Sequence, residues 1–248
     1  MEIHQHTHTP RKKWTHYFWE FLMLFLAVFC GFLAEYKLEH TIEHQREKQF
    51  MKSMVEDLKS DTSQLNSNII YGRKRERMVD SLVLIMSRPD YMNYGADLYY
   101  FARHLSRPHY FFPNDRTLQQ LKNSGAMRLV RNSKVSDSIM NYDQLLRYIQ
   151  LLFSGDEIPI RNNYREKVSQ LFDGKVFYSM YDSTDLATYH KPAGNPPILS
   201  QNPEKINEFI QSAQYLKAVL RGVRVRQDSL KTSATRLISL LKREYKLE

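Results

Sequence analysis

Hydrophobic positions are spread along this chain in two ways: one solid block near the N-terminus, then thin stripes recurring every three or four residues through most of the remaining chain. The block is residues 14–38, WTHYFWEFLMLFLAVFCGFLAEYKL, and inside it residues 21–34 carry no charged or strongly polar side chain. Residues 17–38 would make a helix of roughly 33 Å, enough to cross a bilayer. Trp14, Tyr17 and Trp19 at one end and Tyr36 at the other are the amphipathic rings that favour headgroup level. A core helix of a soluble domain can hold a similar apolar run. This one is apolar on every side and is preceded by Arg11, Lys12 and Lys13, so the pattern predicts a single transmembrane helix. Cleavage after Ala34 would require a small residue where Phe32 stands, and lipidation of Cys30 a small residue where Phe29 stands. Both argue for retention of the segment.

After the block the period changes. No proline or glycine occurs from Phe32 to Tyr71, so the spanning helix is expected to continue straight on. Met51, Val55, Leu58, Thr62, Leu65 and Ile69 step by four and three, a narrow seam with charged faces around it. The same register resumes at Val79, Leu82, Val83 and Met86 beyond Gly72, giving one helix to about Ser87. Pro89 and Asp90 stop it. Residues 96–105 read as a short helix, Pro108 and Pro113 bracket an aromatic turn (HYFF), and Asp115 is the expected N-cap of a helix closing at Gly125. Asn132 can cap the next element. There Val135, Ile139, Tyr142, Leu146, Ile149 and Phe153, then Tyr164, Val168 and Leu171, predict one kinked or two collinear helices closed by Gly174. Residues 174–202 lack a period and form the longest irregular connection, of a length that tends to be functional or mobile. Asn202 and Pro203 start the last helix, whose seam from Ile206 to Leu241 runs for five heptads with Gln227 as its one polar member. The expected fold class is all-α: a transmembrane helix leading into an elongated antiparallel helical bundle with coiled-coil-like seams. Its long helices are placed at about 39–87, 133–173 and 203–246.

Composition and charge then set the topology. Residues 1–13 are polar, basic and His-rich, the pattern of a disordered tail. His4, His6 and His8 alternate without a carboxylate or thiolate nearby, so a solvated tail is expected, with no bound metal and no cofactor. The cluster Arg11, Lys12 and Lys13 abuts one end of the span and Lys37 alone the other. This puts the N-terminus in the cytoplasm and residues 39–248 in the periplasm, anchored in the inner (cytoplasmic) membrane. That placement excludes nucleic acid as a partner. The single cysteine excludes an internal disulfide, and the net charge of +9 favours anionic lipid, polyanions or an acidic partner.

Catalytic signatures are missing: the chain has no nucleophile elbow, phosphate-cradling glycine loop, paired-cysteine motif or HExxH sequence. The expectation is therefore that it is not an enzyme. Candidate contacts remain. Arg103, His104, Arg107 and His109 form a grouping able to bind an anion, and two basic knots, Arg73, Lys74, Arg75 and Arg77 with Arg221, Arg224 and Arg226, are solvated faces or contacts for an acidic partner. Within the span, Glu20 and Gly31 are candidates for helix association, as is Gln227 in the last seam.

The short basic start, the span opening with Glu20 and closing on Gly31 and Ala34, the juxtamembrane EHQREKQFMKSMVEDLKSD and the mid-chain LKNSGAMRLVRNS resemble a family of uncharacterised single-pass envelope proteins of Bacteroidota. The resemblance covers most of the chain and implies a membrane anchor plus a helical domain, with no activity attached. Three functions fit. The first is a non-enzymatic scaffold or accessory subunit that forms a homo-oligomer or docks on a membrane-protein partner. The second is an extracytoplasmic helical sensor that binds a ligand and signals through a partner. The third is a single-span component of an ion-driven complex using Glu20.

Overall fold

The computed structural model describes residues 14–182, 184–185 and 188–247, so the His-rich tail and the Arg11, Lys12, Lys13 cluster lie outside the described residues. Its main elements are helices: α1 (Trp14–Met86), α2 (Gly95–Leu105), α3 (Arg116–Asn123), α4 (Ser133–Leu152), α5 (Ile158–Leu171), α6 (Gly174–Ser179) and α7 (Pro203–Tyr245). Among the described residues the only β-type pairing is an isolated bridge between Tyr181 and Tyr189. The chain divides into two compact units, Met1–Gln49 and Phe50–Glu248.

In the first unit α1 is long and apolar enough to cross a membrane, and none of that apolar stretch is buried. Phe21, Phe25 and Phe29 stack along one side at centroid spacings of 6.3 and 5.9 Å, as residues one turn apart should. Glu20 is half exposed and lies 3.4 Å from His16 one turn earlier. Gly31 has no neighbour within 4 Å of where a side chain would stand.

The second unit is built on the rest of α1, the α4–α5 pair and α7. Side-chain contacts join them. Asn66, Glu76 and Asp80 of α1 meet Lys231, Arg224 and Lys217 of α7, rising numbers against falling ones. Asn132, Tyr148 and Lys167 along α4–α5 likewise meet Glu244, Arg226 and Glu208. The α7 seam is consumed by these neighbours: Phe209, Ala213, Leu216, Leu220, Val223, Leu230, Ala234, Leu237 and Leu241 are all buried, and so is Gln227. Among the described residues, the surface facing this seam comes from the same chain.

The apolar contacts form two cores. One joins Met51–Leu65 of α1 to α3, α4 and the C-terminal part of α7, and the other joins Met78–Met86 to α2, α5, the 172–198 segment and the N-terminal part of α7. Between them, at Arg75, Glu157, Arg161 and Gln227, the interior is polar. The α4–α5 helix passes this level through a wide π turn at Phe153–Glu157, just before Pro159 enters the first turn of α5. Glu157 and Arg161 are buried one turn apart and pair with each other.

Several local expectations change. The HYFF segment carries no regular secondary structure and is held against α1. Polar side chains of α1 hold it, with Asn68 Nδ2 donating to the Tyr110 carbonyl, Gln64 exchanging two bonds with Phe112, and Asp61 Oδ1 accepting from the Asn114 amide at 2.7 Å. Asp57, Asp61, Asn68 and Arg75 are buried, so the charged face expected around the seam is partly interior. Asp115 does not cap α3 with its side chain. Asp57 does that from α1, accepting from the Thr117 amide at 3.1 Å and the Thr117 hydroxyl at 2.6 Å. Gly174 opens α6 instead of closing α5; the Asp173 side chain caps it through Lys175 N. The irregular connection is pinned to α2: Asn195 Oδ1 accepts from Gly95 N at 2.6 Å, Tyr99 Oη donates to the Pro197 carbonyl, and the Asp173 amide donates to Tyr99 Oη.

Candidate anion-binding site

The last turn of α2 leaves carbonyl groups without helical partners, and arginines receive them. Arg75 Nη2 donates to the carbonyls of Leu105 (3.4 Å) and Arg107 (2.8 Å), Arg161 Nη1 to that of Leu105 (2.5 Å), and Arg165 Nε to that of Ser106 (2.7 Å). Cations at a helix C-terminus also answer its partial negative charge. Burial and the neighbouring Arg161 push Arg75 down to about 10, so it stays charged at neutral pH.

This capping arrangement sets the walls of a cavity of about 620 Å³. Arg103 and Arg107, four residues apart at the end of α2, line it together with Arg165 of α5. Phe172, Phe177 and Tyr189 form an aromatic side, and Val168, Pro108, Ser106, Ser169 and Gly174 complete the lining. No carboxylate occurs among these described lining residues. The Arg103 guanidinium lies 4.9 Å from the Tyr181 and Tyr189 rings and 5.6 Å from that of Phe177, and it donates to the Tyr181 hydroxyl. Arg107 sits 5.1 Å over Tyr189. Stacking on ring faces immobilises a guanidinium at little cost to its charge. An isolated antiparallel bridge joins Tyr181 to Tyr189, and Asp182 Oδ1 accepts from the Thr184 amide and hydroxyl. The Thr184 hydroxyl, followed by His190, holds the Asp182 carboxyl well below the usual range.

Of the four residues grouped in the sequence, the structure brings Arg103 and Arg107 to the cavity and leaves both histidines out of its lining. His104 packs between Tyr100 and Tyr189 with Nδ1 3.0 Å from the Tyr100 carbonyl, and His109 packs on Tyr71 with Nε2 2.9 Å from Asn68 Oδ1. Burial lowers the pKa of each. The basic knots disperse. Arg75 is buried, Arg224 pairs with Glu76 at 2.5 Å, and Arg226 lies over Tyr148. Arg73, Arg77 and Arg221 share an open depression with Glu76, Asp80 and Lys217, and Lys74 is exposed nearby in sequence. Gln227 borders the interior polar layer beside Arg75 and His109. Among the described residues no group of His, Cys, Asp or Glu is placed to share a metal ion.

Arg165 and the aromatic side were not among the sequence candidates. The available signals were faint: Arg165 follows Arg161 by one turn, and residues 176–181 (VFYSMY) are dense in aromatics inside a segment without a period. No protein-family model, curated protein or solved structure matches the chain.

Proposed function

We propose that this chain is a single-pass protein of the inner membrane whose extramembrane helical bundle is a non-enzymatic, ligand-binding accessory domain, taking a small oxyanion between Arg103, Arg107 and Arg165. The observation that carries this reading is the convergence of three arginines, from two separate parts of the chain, on one cavity without a carboxylate among its described lining residues. Planar guanidinium groups match carboxylate and phosphate geometry, and cavities of this size hold small ligands. The exposed apolar part of α1 supports the anchor, and Arg11, Lys12 and Lys13 support a cytoplasmic N-terminus with the bundle outside. The opposed numbering of the contacts between α7 and its neighbours supports an antiparallel bundle.

On this reading the signal passes through a membrane partner. The alternative, a scaffold acting by association alone, now rests on the membrane segment with Glu20 and Gly31, since the α7 seam is filled internally. Two measurements test the proposal. The full chain in zwitterionic nanodiscs is titrated with inorganic phosphate and sulfate. Binding that Arg107→Gln and Arg165→Gln each weaken by about tenfold or more supports it, and binding indifferent to both overturns it. A reporter active only in the cytoplasm, fused after Glu248, should be silent; activity would reverse the topology.

A further inference from the structure

The cavity contains more than positive charge, and its apolar side restricts the ligand further. Resting on the oxyanion reading above, we propose that the natural ligand is a soluble amphiphilic acid, a carboxylate or phosphate joined to a compact ring, with the acid group among Arg103, Arg107 and Arg165 and the ring against Phe177, Phe172 and Val168.

Three observations carry this. First, a bare phosphate or sulfate would fill only a small part of about 620 Å³ and leave the partly exposed Phe177 side chain uncovered. Second, the wall is rigid. Phe172 packs edge-on against Tyr99 and Phe209 at centroid distances of 5.0 and 5.5 Å, and Phe177 packs against Tyr99 at 5.3 Å, all within the core shared by α2, α5 and α7. A surface held by the core cannot collapse to cover itself, so it stays ready for an apolar group. Third, the charged groups are held in place. Arg103 is fixed over Tyr181 and Tyr189, and Arg165 of α5 is fixed by its bonds to the Ser106 carbonyl and to Asn162 Oδ1 at 3.2 Å. Apart from the arginines, the polar side chains of the lining are the hydroxyls of Ser106 and Ser169 and of Tyr189. A sugar or a nucleobase, which needs several donors and acceptors, finds few partners here.

The probes are phenyl phosphate, inorganic phosphate and benzyl alcohol, titrated calorimetrically into the full chain in nanodiscs, with empty nanodiscs as the blank for partitioning. Phenyl phosphate should bind about tenfold or more tightly than inorganic phosphate, and benzyl alcohol should bind weakly, because each lacks one half of the recognition. Phe177→Ala should erase most of the advantage of phenyl phosphate while leaving inorganic phosphate unchanged. Should that variant lose helical circular dichroism, Val168→Ser supplies the same comparison. Equal affinity for phenyl and inorganic phosphate, both lost in Arg165→Gln, would overturn the ring-bearing ligand and leave the oxyanion reading intact. Failure of every anion to bind would remove both. The titration is repeated in nanodiscs containing phosphatidylglycerol: unchanged affinity supports a soluble ligand, and displacement of phenyl phosphate there would make a lipid headgroup the occupant and overturn it.

Discussion

Asp57 illustrates how much a single buried side chain organises. Its two oxygens receive Arg116 Nη2 at 2.7 Å and both polar groups of Thr117, so one carboxylate of α1 caps α3 and fixes the end of the segment that precedes it. Asp57→Ala should lower stability by about 2–3 kcal/mol and increase amide exchange across residues 116–123, because the first turn of α3 loses its acceptor in a dry site. Arg116→Ala should change little, since that side chain is 77% exposed and solvent replaces it. Equal losses from the two variants would show that the ion pair, not the cap, matters. Asp61 differs. Burial raises its pKa against the opposing effect of Tyr142, whose hydroxyl donates to it at 2.5 Å. A raised carboxyl holds its proton in the folded state where the unfolded chain has already released it. Stability from this group is therefore complete below the ordinary value near 3.8 and is lost as pH rises through the higher folded value. Asp61→Asn keeps an acceptor for the Asn114 amide and cannot ionise, so denaturation curves between pH 4 and 7 should lose that part of their slope without a large fall at neutral pH.

At the scale of elements, the glycines separate helix propensity from packing. Gly222 lies inside α7 with nothing within 4 Å of a built Cβ, so Gly222→Ala should stabilise by about 0.5–1 kcal/mol. At Gly95 the same methyl group would collide with the Pro196 carbonyl, where α2 begins against the pinned connection. Gly95→Ala should cost about 1–3 kcal/mol. Melting of both variants checks the pair, and a neutral Gly95→Ala would mean that the connection yields easily. The π turn at Phe153–Glu157 belongs to this scale too. It carries α4 into α5 past Pro159 and leaves Glu157 and Arg161 facing inward, opposite Arg75.

For the molecule as a whole, the decisive feature of the second unit is that its longest seam is already satisfied. Leu220→Asp would put an unpaired carboxylate at a 5% exposed position and should unfold the bundle, at a cost of several kcal/mol, visible as loss of a cooperative melt. Gln227→Leu should leave the mass in detergent unchanged, because Gln227 faces Arg75, His109 and Glu157 of its own chain. A change of mass would show that this position reaches a second copy.

Sequence alone determined what depends on neighbours a few residues away. The apolar block, the three-and-four seams, the Asn202 cap with Pro203 behind it and the all-helical class are all read along one strand of chain. Tertiary structure decided what depends on distant partners. Asp57, Asp61 and Arg75 look like ordinary helix-surface charges until the 105–117 segment returns along α1 and needs acceptors and donors for its backbone. For the same reason only half of the candidate anion site was visible. Arg103 and Arg107 are four residues apart, but Arg165, Phe177 and Tyr189 join them through helix packing and a connection without a period, and hydrophobic periodicity carries no information about which ends of separate elements will meet.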